Sequence, residues 1–335
     1  MFFFGCGSAK KGETATSSET SEKASQESEE TSGQVIQDSF FSKSLGVEKS
    51  YFTYLPVNYA LSQVRYPVVY MLHGLGGQEN NWTKYMQLAE AADSMQLAAI
   101  VVMPDGDDSF YVNSATEANY QECMQGSAGT DGKDLSHYCV KSASYENYIV
   151  DDLVSEVDGK FRTIASRDAR GIGGLSMGGY GALTLAMRHL DVFSSSASHS
   201  GVAALLYQGP IPYQAGQAQL ADDPVAFTRG LGRIGRLLLA RFGPELERWR
   251  AQDPAFLVGT LPKGRLAIYI DCGTEDEFRL QHGASYLHEL LESRGITHSF
   301  QLLPGGHDFS FWADRIDDSL AFHMRHLQQA ESLSQ

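Results

Sequence analysis

A single serine stands among six glycines in the segment GIGGLSMGGYGAL, which covers residues 171 to 183. Gly174, Ser176 and Gly178 fit the pattern G-x-S-x-G, in which a strand turns sharply into a helix with a serine at the apex. Side chains two residues before and after that serine would collide in the turn, so both positions require glycine. The serine hydroxyl is a weak nucleophile at neutral pH and needs a base, an orienting carboxylate and donors for an oxyanion. The segment therefore makes Ser176 a candidate nucleophile. The alternative is a chance match in a chain rich in Gly and Ser, and the rest of the sequence must decide between them.

The orienting acid and the base of such a site follow the serine in the chain, in that order. His307 lies in LLPGGHDFSFW, on a Gly-Gly turn after a predicted strand, and is the predicted base. His199, in SASHSG at a strand end, precedes the candidate acids and is interpreted as a pocket or structural residue. Within YIDCGTEDEF we predict Asp276, in the loop beyond the strand, as the orienting acid. Asp271, which ends the strand, remains the alternative and would otherwise accept backbone N–H bonds.

Backbone N–H groups are the predicted donors to the oxyanion. Met177 follows the serine directly, and Leu75 lies in the turn HGLGG after an earlier strand. Tyr111 and Asn113, in the loop DGDDSFYVNS, are predicted together with His199 to contact the substrate, and loop packing is the alternative for the first two. No cluster with zinc-ligand spacing occurs in the sequence, so we expect neither a metal nor another cofactor.

The elements that position these residues alternate between strand and helix. Predicted strands cover residues 50–57, 66–74, 98–104, 167–176, 192–201, 265–273 and 297–303. Predicted helices cover residues 85–97, 145–161, 177–190, 277–294 and 308–329. This alternation predicts an α/β fold, with a mostly parallel central sheet and helices on both faces.

One segment, about residues 205–262, departs from the alternation and is predicted to form a small cap or lid over the carboxyl ends of the strands. It contains GLGRIG, residues 230–235, which matches the dinucleotide-binding pattern G-x-G-x-x-G. No predicted strand precedes this match and no acid follows at the right distance, so we reject a dinucleotide site.

The N-terminal segment differs in composition from the rest of the chain. Residues 8–34 contain almost no large apolar side chain, which predicts that residues 1–34 form a disordered tether before a catalytic domain at 35–335. MFFFGCG resembles the end of a bacterial lipoprotein signal, so Cys6 is a candidate for lipidation and membrane tethering. This interpretation predicts an extracellular or cell-surface protein. The alternative is a cytoplasmic protein with an incidental cysteine.

The net charge bears on the kind of partner, and the remaining cysteines bear on a possible disulfide. The net charge of -15 disfavours nucleic acid or an anionic membrane surface as the main partner. Cys123 and Cys139 lie in one polar stretch and are candidates for a disulfide, whereas Cys272 lies in an apolar strand and is predicted to be buried.

Four motifs, HGLGG, GLSMGGYGAL, DCGTEDEF and GGHDFSFW, together carry a family resemblance. Over roughly residues 45–328 the chain resembles the esterase family that includes esterase D (S-formylglutathione hydrolase), bacterial feruloyl and acetyl esterases, and mycobacterial mycolyltransferases. The resemblance implies an α/β-hydrolase fold. It also implies a catalytic triad and two oxyanion donors, at Ser176, Asp276, His307, Leu75 and Met177. The GTED and GGHDF segments are most similar to feruloyl-esterase-like members.

The resulting expectation is a serine carboxylesterase that acts through an acyl-enzyme on a small-molecule or polysaccharide-linked ester, without nucleic acid as a partner. Feruloyl and acetyl esters of plant polysaccharide are the candidate substrates that the resemblance implies. The alternatives are an acyltransferase with the same triad, an S-formylglutathione-hydrolase-like thioesterase, and a tethered binding protein without activity. The sequence leaves the oligomeric state open.

Overall fold

The computed structural model describes residues 32–126 and 134–329. In chain order the strands are β1 Gln34–Ser42, β2 Val47–Leu55, β3 Val68–Leu72, β4 Ile100–Pro104, β5 Arg170–Leu175, β6 Ser195–His199, β7 Tyr207–Gly209, β8 Gln219–Leu220, β9 Ala267–Gly273 and β10 Ser299–Leu303. Within the described ranges, eight of them form one sheet in the order β1-β2-β4-β3-β5-β6-β9-β10, and β7 pairs with β8. The pairs β1–β2 and β2–β4 are antiparallel and the other pairs of the large sheet are parallel. The mostly parallel sheet expected from the sequence is confirmed.

Helices connect the strands. They are α1 Asn81–Lys84, α2 Leu88–Ser94, α3 Tyr120–Cys123, α4 Tyr145–Asn147, α5 Val154–Lys160, α6 Met177–Arg188, α7 Pro224–Arg229, α8 Gly232–Phe242, α9 Leu246–Arg250, α10 Pro254–Leu257, α11 Leu280–Ser293, α12 Phe309–Ala313 and α13 Ile316–His326. A π-helical turn, Tyr148–Leu153, joins α4 to α5. None of the helices in the described residues is long and apolar enough to cross a membrane.

Apolar side chains cover both faces of the sheet. Successive side chains of a strand point to opposite faces, and β3 therefore contributes to two cores. Val68, Tyr70 and Leu72 belong to the larger core, which includes residues of α5, α6 and α11. Val69 and Met71 belong to the second core, with residues of α1, α2, α12 and α13. Burial on both faces explains why β3 and β4 are continuous apolar runs.

Several elements differ from the expectation. The helix expected at 85–97 is shorter, since only α2, Leu88–Ser94, lies within that range and Gln87 before it adopts a left-handed conformation (φ 51°). The helix expected at 308–329 is divided into α12 and α13. β1 was not expected, since its side chains alternate between exposed and half-buried positions at the edge of the sheet.

The predicted cap at 205–262 contains β7, β8 and α7 to α10. The GLGRIG match spans the start of α8, and the element before it is the helix α7 rather than a strand, so it lacks the context of a dinucleotide site. A disulfide joins Cys123 to Cys139, with 5.6 Å between the Cα atoms, and Cys272 is free and buried. Cys6 and the predicted tether lie outside the described residues, apart from residues 32–34.

Candidate active site

Ser176 lies between the end of β5 and the start of α6 with φ 54° and ψ -116°, a conformation that L-residues rarely adopt. The chain comes very close to itself on both sides of it. A Cβ atom on Gly174 would lie 2.4 Å from the carbonyl carbon of Gly178, and one on Gly178 would lie 2.2 Å from the carbonyl oxygen of Leu72. Only glycine fits at these two positions, and the strained turn presents the Ser176 hydroxyl beyond the end of the sheet.

Two hydrogen bonds link Ser176 to His307 and His307 to Asp276. The Ser176 Oγ lies 2.9 Å from His307 Nε2, and His307 Nδ1 lies 2.7 Å from Asp276 Oδ2. A carboxylate only accepts hydrogen bonds, so Nδ1 carries the proton and Nε2 of the neutral ring accepts from the serine hydroxyl. The structure therefore brings together the three residues that the sequence singled out, with the imidazole in the tautomer that a general base requires.

The carboxylate of Asp276 is fully buried and has further donors. Its Oδ1 atom accepts N–H bonds from Phe278 at 2.9 Å and Leu280 at 3.4 Å. Its Oδ2 atom also accepts a bond from the thiol of Cys272 at 3.6 Å. Burial raises the pKa of that thiol well above its ordinary range, so Cys272 remains protonated and donates. These contacts compensate the charge of the carboxylate and fix its orientation toward His307.

The turn that carries His307 is held by the acids on both sides of Asp276. Glu275 accepts the N–H of Gly305 at 2.5 Å, and its own N–H donates to the Gly305 carbonyl at 3.0 Å. Glu277 accepts the N–H of His307 at 2.8 Å. The hydrogen bond from Gly305 lowers the pKa of Glu275. Three consecutive acids thus bind three groups of one turn. The run TEDE is visible in the sequence, but nothing in its spacing predicted these roles of Glu275 and Glu277.

Asp271 and His199 form a separate buried pair. Asp271 Oδ2 lies 2.8 Å from His199 Nδ1 and accepts the hydroxyl of Tyr269 at 2.9 Å. The pair contacts the site through the backbone, since the His199 carbonyl accepts the N–H of Ser176 at 2.8 Å. His199 is fully buried and lies outside the groove that exposes Ser176. Of the interpretations offered for His199, the structural one fits this placement and the substrate contact does not, and Asp276 rather than Asp271 contacts His307.

The turn that contains Leu75 lies beside Ser176. A Cβ atom on Gly74 would lie 3.4 Å from that of Ser176. The turn is closed by the bond from Gly77 N–H to the Gly74 carbonyl at 2.9 Å, and the carboxylate of Asp108 accepts the N–H of Gly76 at 2.7 Å. The N–H of Leu75 donates no hydrogen bond within the part of the chain that the structure describes. It is available to a ligand.

Met177 is the first residue of α6, where a backbone N–H has no carbonyl of the preceding turn to bind. The positive end of the helix dipole also lies here. Leu75 and Met177 both line the groove together with Ser176 and His307. The arrangement can bind an oxyanion that forms next to the serine.

The structure corrects the prediction for Tyr111 and Asn113. Tyr111 is fully buried, and its hydroxyl donates to the carbonyl of His73 at 2.9 Å. This bond supports the start of the turn that carries Leu75. The side chain of Asn113 bonds to Asn147, and its carbonyl accepts from Arg248. Neither residue lines the groove. Loop packing, the alternative from the sequence, describes both.

The groove at Ser176 has a volume of about 1060 Å³ and is mainly apolar. Aliphatic residues of the cap segment line it, among them Leu205, Leu231, Ile234 and Leu238. Aromatic residues line it as well, and two of these, Phe278 and Trp312, contact the imidazole of His307 with centroid distances of 4.8 Å and 4.9 Å. The groove is large enough for a ligand of drug size.

Comparisons with known proteins identify the family of the chain. The sequence profile of the family named Putative esterase matches residues 42–323. An esterase of Mycobacterium tuberculosis is 28% identical over 276 residues, which are 81% of this chain and 55% of that protein. The acetyl esterase of Caldicellulosiruptor saccharolyticus is 24% identical over 285 residues, covering 83% of this chain and 93% of that protein. The chain thus spans about half the length of the mycobacterial relative.

A solved structure shows the same architecture. The S-formylglutathione hydrolase from Agrobacterium tumefaciens aligns with a TM-score of 0.65 at 21% identity, over 89% of this chain and 97% of that chain. At this identity the likeness concerns the fold alone. It confirms the α/β-hydrolase fold that the motifs implied.

Proposed function

The chain belongs to the Putative esterase family, whose profile covers residues 42–323, and from this premise we propose that it is a serine carboxylesterase. The observation that carries the proposal is the hydrogen-bonded series from Ser176 Oγ through His307 to Asp276 at the base of an apolar groove. The fold alone would not be sufficient, because one fold supports many functions.

The geometry supports a mechanism with an acyl-enzyme. His307 Nε2 takes the proton of Ser176 as Oγ attacks the carbonyl carbon of the ester. The oxyanion of the tetrahedral intermediate accepts hydrogen bonds from the N–H groups of Leu75 and Met177. Asp276 accepts the hydrogen bond of His307 Nδ1 and stabilises the imidazolium, which then gives its proton to the oxygen of the departing alcohol. A water molecule then attacks the acyl carbon as His307 takes its proton, and the second tetrahedral intermediate collapses with cleavage of the bond to Ser176 Oγ. The imidazolium returns the proton to Oγ, and the free acid leaves.

The groove and the relatives support an ester with an apolar acyl group. Aliphatic side chains of the cap segment line the groove, and burial of apolar area favours a ligand of similar character. A relative of this chain is named an acetyl esterase. Feruloyl and acetyl esters are therefore the substrates that we propose to test first.

For the cellular location we propose the cell surface or the extracellular space, with Cys6 as the lipidated residue. The disulfide between Cys123 and Cys139 supports this location, because disulfides persist in oxidising compartments. Mass spectrometry of the mature N-terminus from the native host tests the proposal. A diacylglyceryl group on Cys6 is the expected result, and an unmodified chain that begins at Met1 would contradict it.

The test of the esterase function is a panel of substrates with wild type and Ser176→Ala. Nitrophenyl acetate, butyrate and octanoate and methyl ferulate are hydrolysed with and without added glycerol, and the products are identified by chromatography. We expect hydrolysis by the wild type and none above background in the variant. Formation of glyceryl esters as the main product would instead indicate an acyltransferase. A folded wild type that cleaves none of these esters would contradict the proposal.

A further inference from the structure

Arg279 lines the groove at Ser176, and its side chain is exposed to solvent. We propose that the guanidinium of Arg279 binds a negatively charged group of the substrate, so that the ester that this protein cleaves carries a carboxylate. The proposal rests on the esterase function proposed above and adds a class of substrate to it.

The backbone of Arg279 is strained. Its φ of 61° and ψ of 30° lie in the left-handed region, which a residue with a Cβ atom adopts only at a cost in energy. The residue ends the loop that carries the triad acid, since its N–H donates to the carbonyl of Asp276 at 2.9 Å and α11 begins directly after it. Glycine or asparagine would fit the same conformation with less strain. Backbone geometry therefore does not explain the choice of arginine.

The start of α11 is also an unfavourable position for a positive charge. Arg279 is the N-cap residue of this helix, and the helix dipole disfavours a base at that end. The side chain makes no capping hydrogen bond, which Ser, Thr, Asp or Asn would supply. The arginine thus opposes two local preferences of the chain. Conflicts of this kind are expected at functional positions.

The guanidinium has no partner among the residues that the structure describes, because Arg279 makes neither an ion pair nor a side-chain hydrogen bond with them. Asp308 is the acid that lines the same groove, and its carboxylate is already engaged. Its Oδ1 atom accepts the N–H groups of Ser310 and Phe311, at 2.9 Å and 3.1 Å, at the start of α12. The positive charge of Arg279 is therefore available to a ligand.

The cap segment adds positive charge near the groove. Residues 224–244, some of which line the groove, contain four arginines and no acid. Arg229, Arg233 and Arg236 are exposed, and they make no ion pair within the described ranges. This stretch contrasts with the chain as a whole, whose net charge is -15. Positive groups around a cleft raise the local concentration of an anionic ligand and its rate of association.

The apolar walls of the groove make the charge of the ligand matter more. A guanidinium binds a carboxylate through two parallel N–H···O bonds, and apolar surroundings strengthen such a pair. A neutral ester that covered Arg279 would remove water from the guanidinium without replacing its hydrogen bonds. A carboxylate on the acyl group and a carboxylate on the alcohol both fit this chemistry.

The experiment measures the preference for a charged ester over a neutral ester of similar shape. The first pair has the charge on the acyl group and consists of nitrophenyl hemiadipate and nitrophenyl hexanoate. The second pair has it on the alcohol and consists of the hexanoyl esters of 3-hydroxybenzoate and of phenol. The measured quantity is the ratio of kcat/KM for the charged ester to kcat/KM for the neutral ester, in wild type and in variants of Arg279.

We expect the ratio for one of the two pairs to fall about ten-fold in Arg279→Gln, because the lost hydrogen bonds are charge-assisted. The pair that shows the fall identifies the part of the ester that carries the carboxylate. Arg279→Glu is expected to lower the ratio further, and Arg279→Lys to lower it less. Potassium chloride at about 0.5 M is expected to lower the ratio of wild type and to leave that of Arg279→Gln nearly unchanged.

Arg279→Gly tests whether the effect depends on folding, because glycine suits the left-handed backbone. It is expected to lower the ratio as Arg279→Gln does and to unfold at no lower urea concentration than wild type. Arg294→Gln is the matched control, since Arg294 is an exposed arginine at the other end of α11, outside the groove. It is expected to keep both wild-type ratios.

Two results would overturn the role of Arg279 while the esterase function stands. One is an unchanged ratio for both pairs in Arg279→Gln, and the other is an equal fall in Arg294→Gln. A folded wild type that cleaves neither neutral ester would instead refute the function on which the proposal rests.

Discussion

Glu277 accepts a hydrogen bond from the backbone of His307, and this bond leads to a prediction. The prediction distinguishes the positioning of His307 from an effect of the Glu277 charge. Glu277 accepts the N–H of His307 at 2.8 Å and does not contact the imidazole. Removal of the acceptor in Glu277→Ala frees the turn that places Nε2 at 2.9 Å from Ser176 Oγ. We expect kcat to fall and KM to stay nearly constant, because the change alters the fraction of enzyme with a competent base rather than the groove.

The magnitude follows from the strength of one hydrogen bond to a charged acceptor. Such a bond contributes about 1.5 to 3 kcal/mol, and the lower value applies here because Glu277 is exposed to solvent. If the whole of that contribution holds the turn, the competent conformation loses about 1.5 kcal/mol, which corresponds to a fall of about ten-fold in kcat. Glu277→Gln keeps an oxygen acceptor and loses the charge, so we expect a fall of less than about three-fold.

The assay is steady-state hydrolysis of nitrophenyl butyrate by wild type, Glu277→Ala and Glu277→Gln. Glu90→Ala is the control for removing an exposed acid, since Glu90 lies on α2 outside the groove. Wild-type kcat in Glu277→Ala would refute the positioning argument. An equal loss in the Ala and Gln variants would show that the charge of Glu277 matters rather than its hydrogen bond.

Three further predictions concern stability. Gly178→Ala places a methyl group against a backbone carbonyl, so we expect it to lower the free energy of unfolding by about 2 kcal/mol and to abolish activity. Gly259→Ala is the control, because the space around Gly259 is open, and it is expected to change neither quantity. Thermal unfolding and ester hydrolysis measure the two effects. Burial raises the pKa of Asp253 to about 7, above its unfolded value of about 3.9. The free energy of unfolding therefore falls as the pH rises from about 4 to about 7. Urea titrations at pH 5 and 8 are expected to show a smaller fall in the free energy of unfolding for Asp253→Asn than for wild type. Replacement of Cys123 and Cys139 by serine removes a bridge between residues that are 16 positions apart in the chain. We expect the free energy of unfolding in the same titrations to fall by about 3 kcal/mol, and an unchanged midpoint would contradict this.

The sheet and the elbow could be predicted because their signals are local. Continuous apolar runs identify β3 and β4 as strands buried on both faces, and the glycines on both sides of Ser176 identify the turn. The hydrogen-bonded series at His307 followed from the order of residue types along the chain. In these places the local preference of the sequence agrees with the final packing.

Contacts between distant segments could not be read from spacing. Tyr111 has the polar hydroxyl of a substrate-binding residue, yet the packing of its loop buries it against the carbonyl of His73. The ring of Tyr85, before α2, stacks on that of Phe309, at the start of α12, and no periodicity relates these positions. The hydrogen bonds of Glu275 likewise depend on how the loop after β9 meets the turn after β10.

The covalent reaction of Ser176 tests the proposed serine esterase function directly. Wild type and Ser176→Ala are treated with a fluorophosphonate probe, and the site of labelling is located by mass spectrometry of peptides. Wild type is expected to gain one phosphonate group, on the peptide that contains Ser176, and the variant is expected to gain none and to lose esterase activity. A folded wild type that stays unlabelled, or that is labelled on another residue while Ser176→Ala remains active, would show that Ser176 is not the nucleophile.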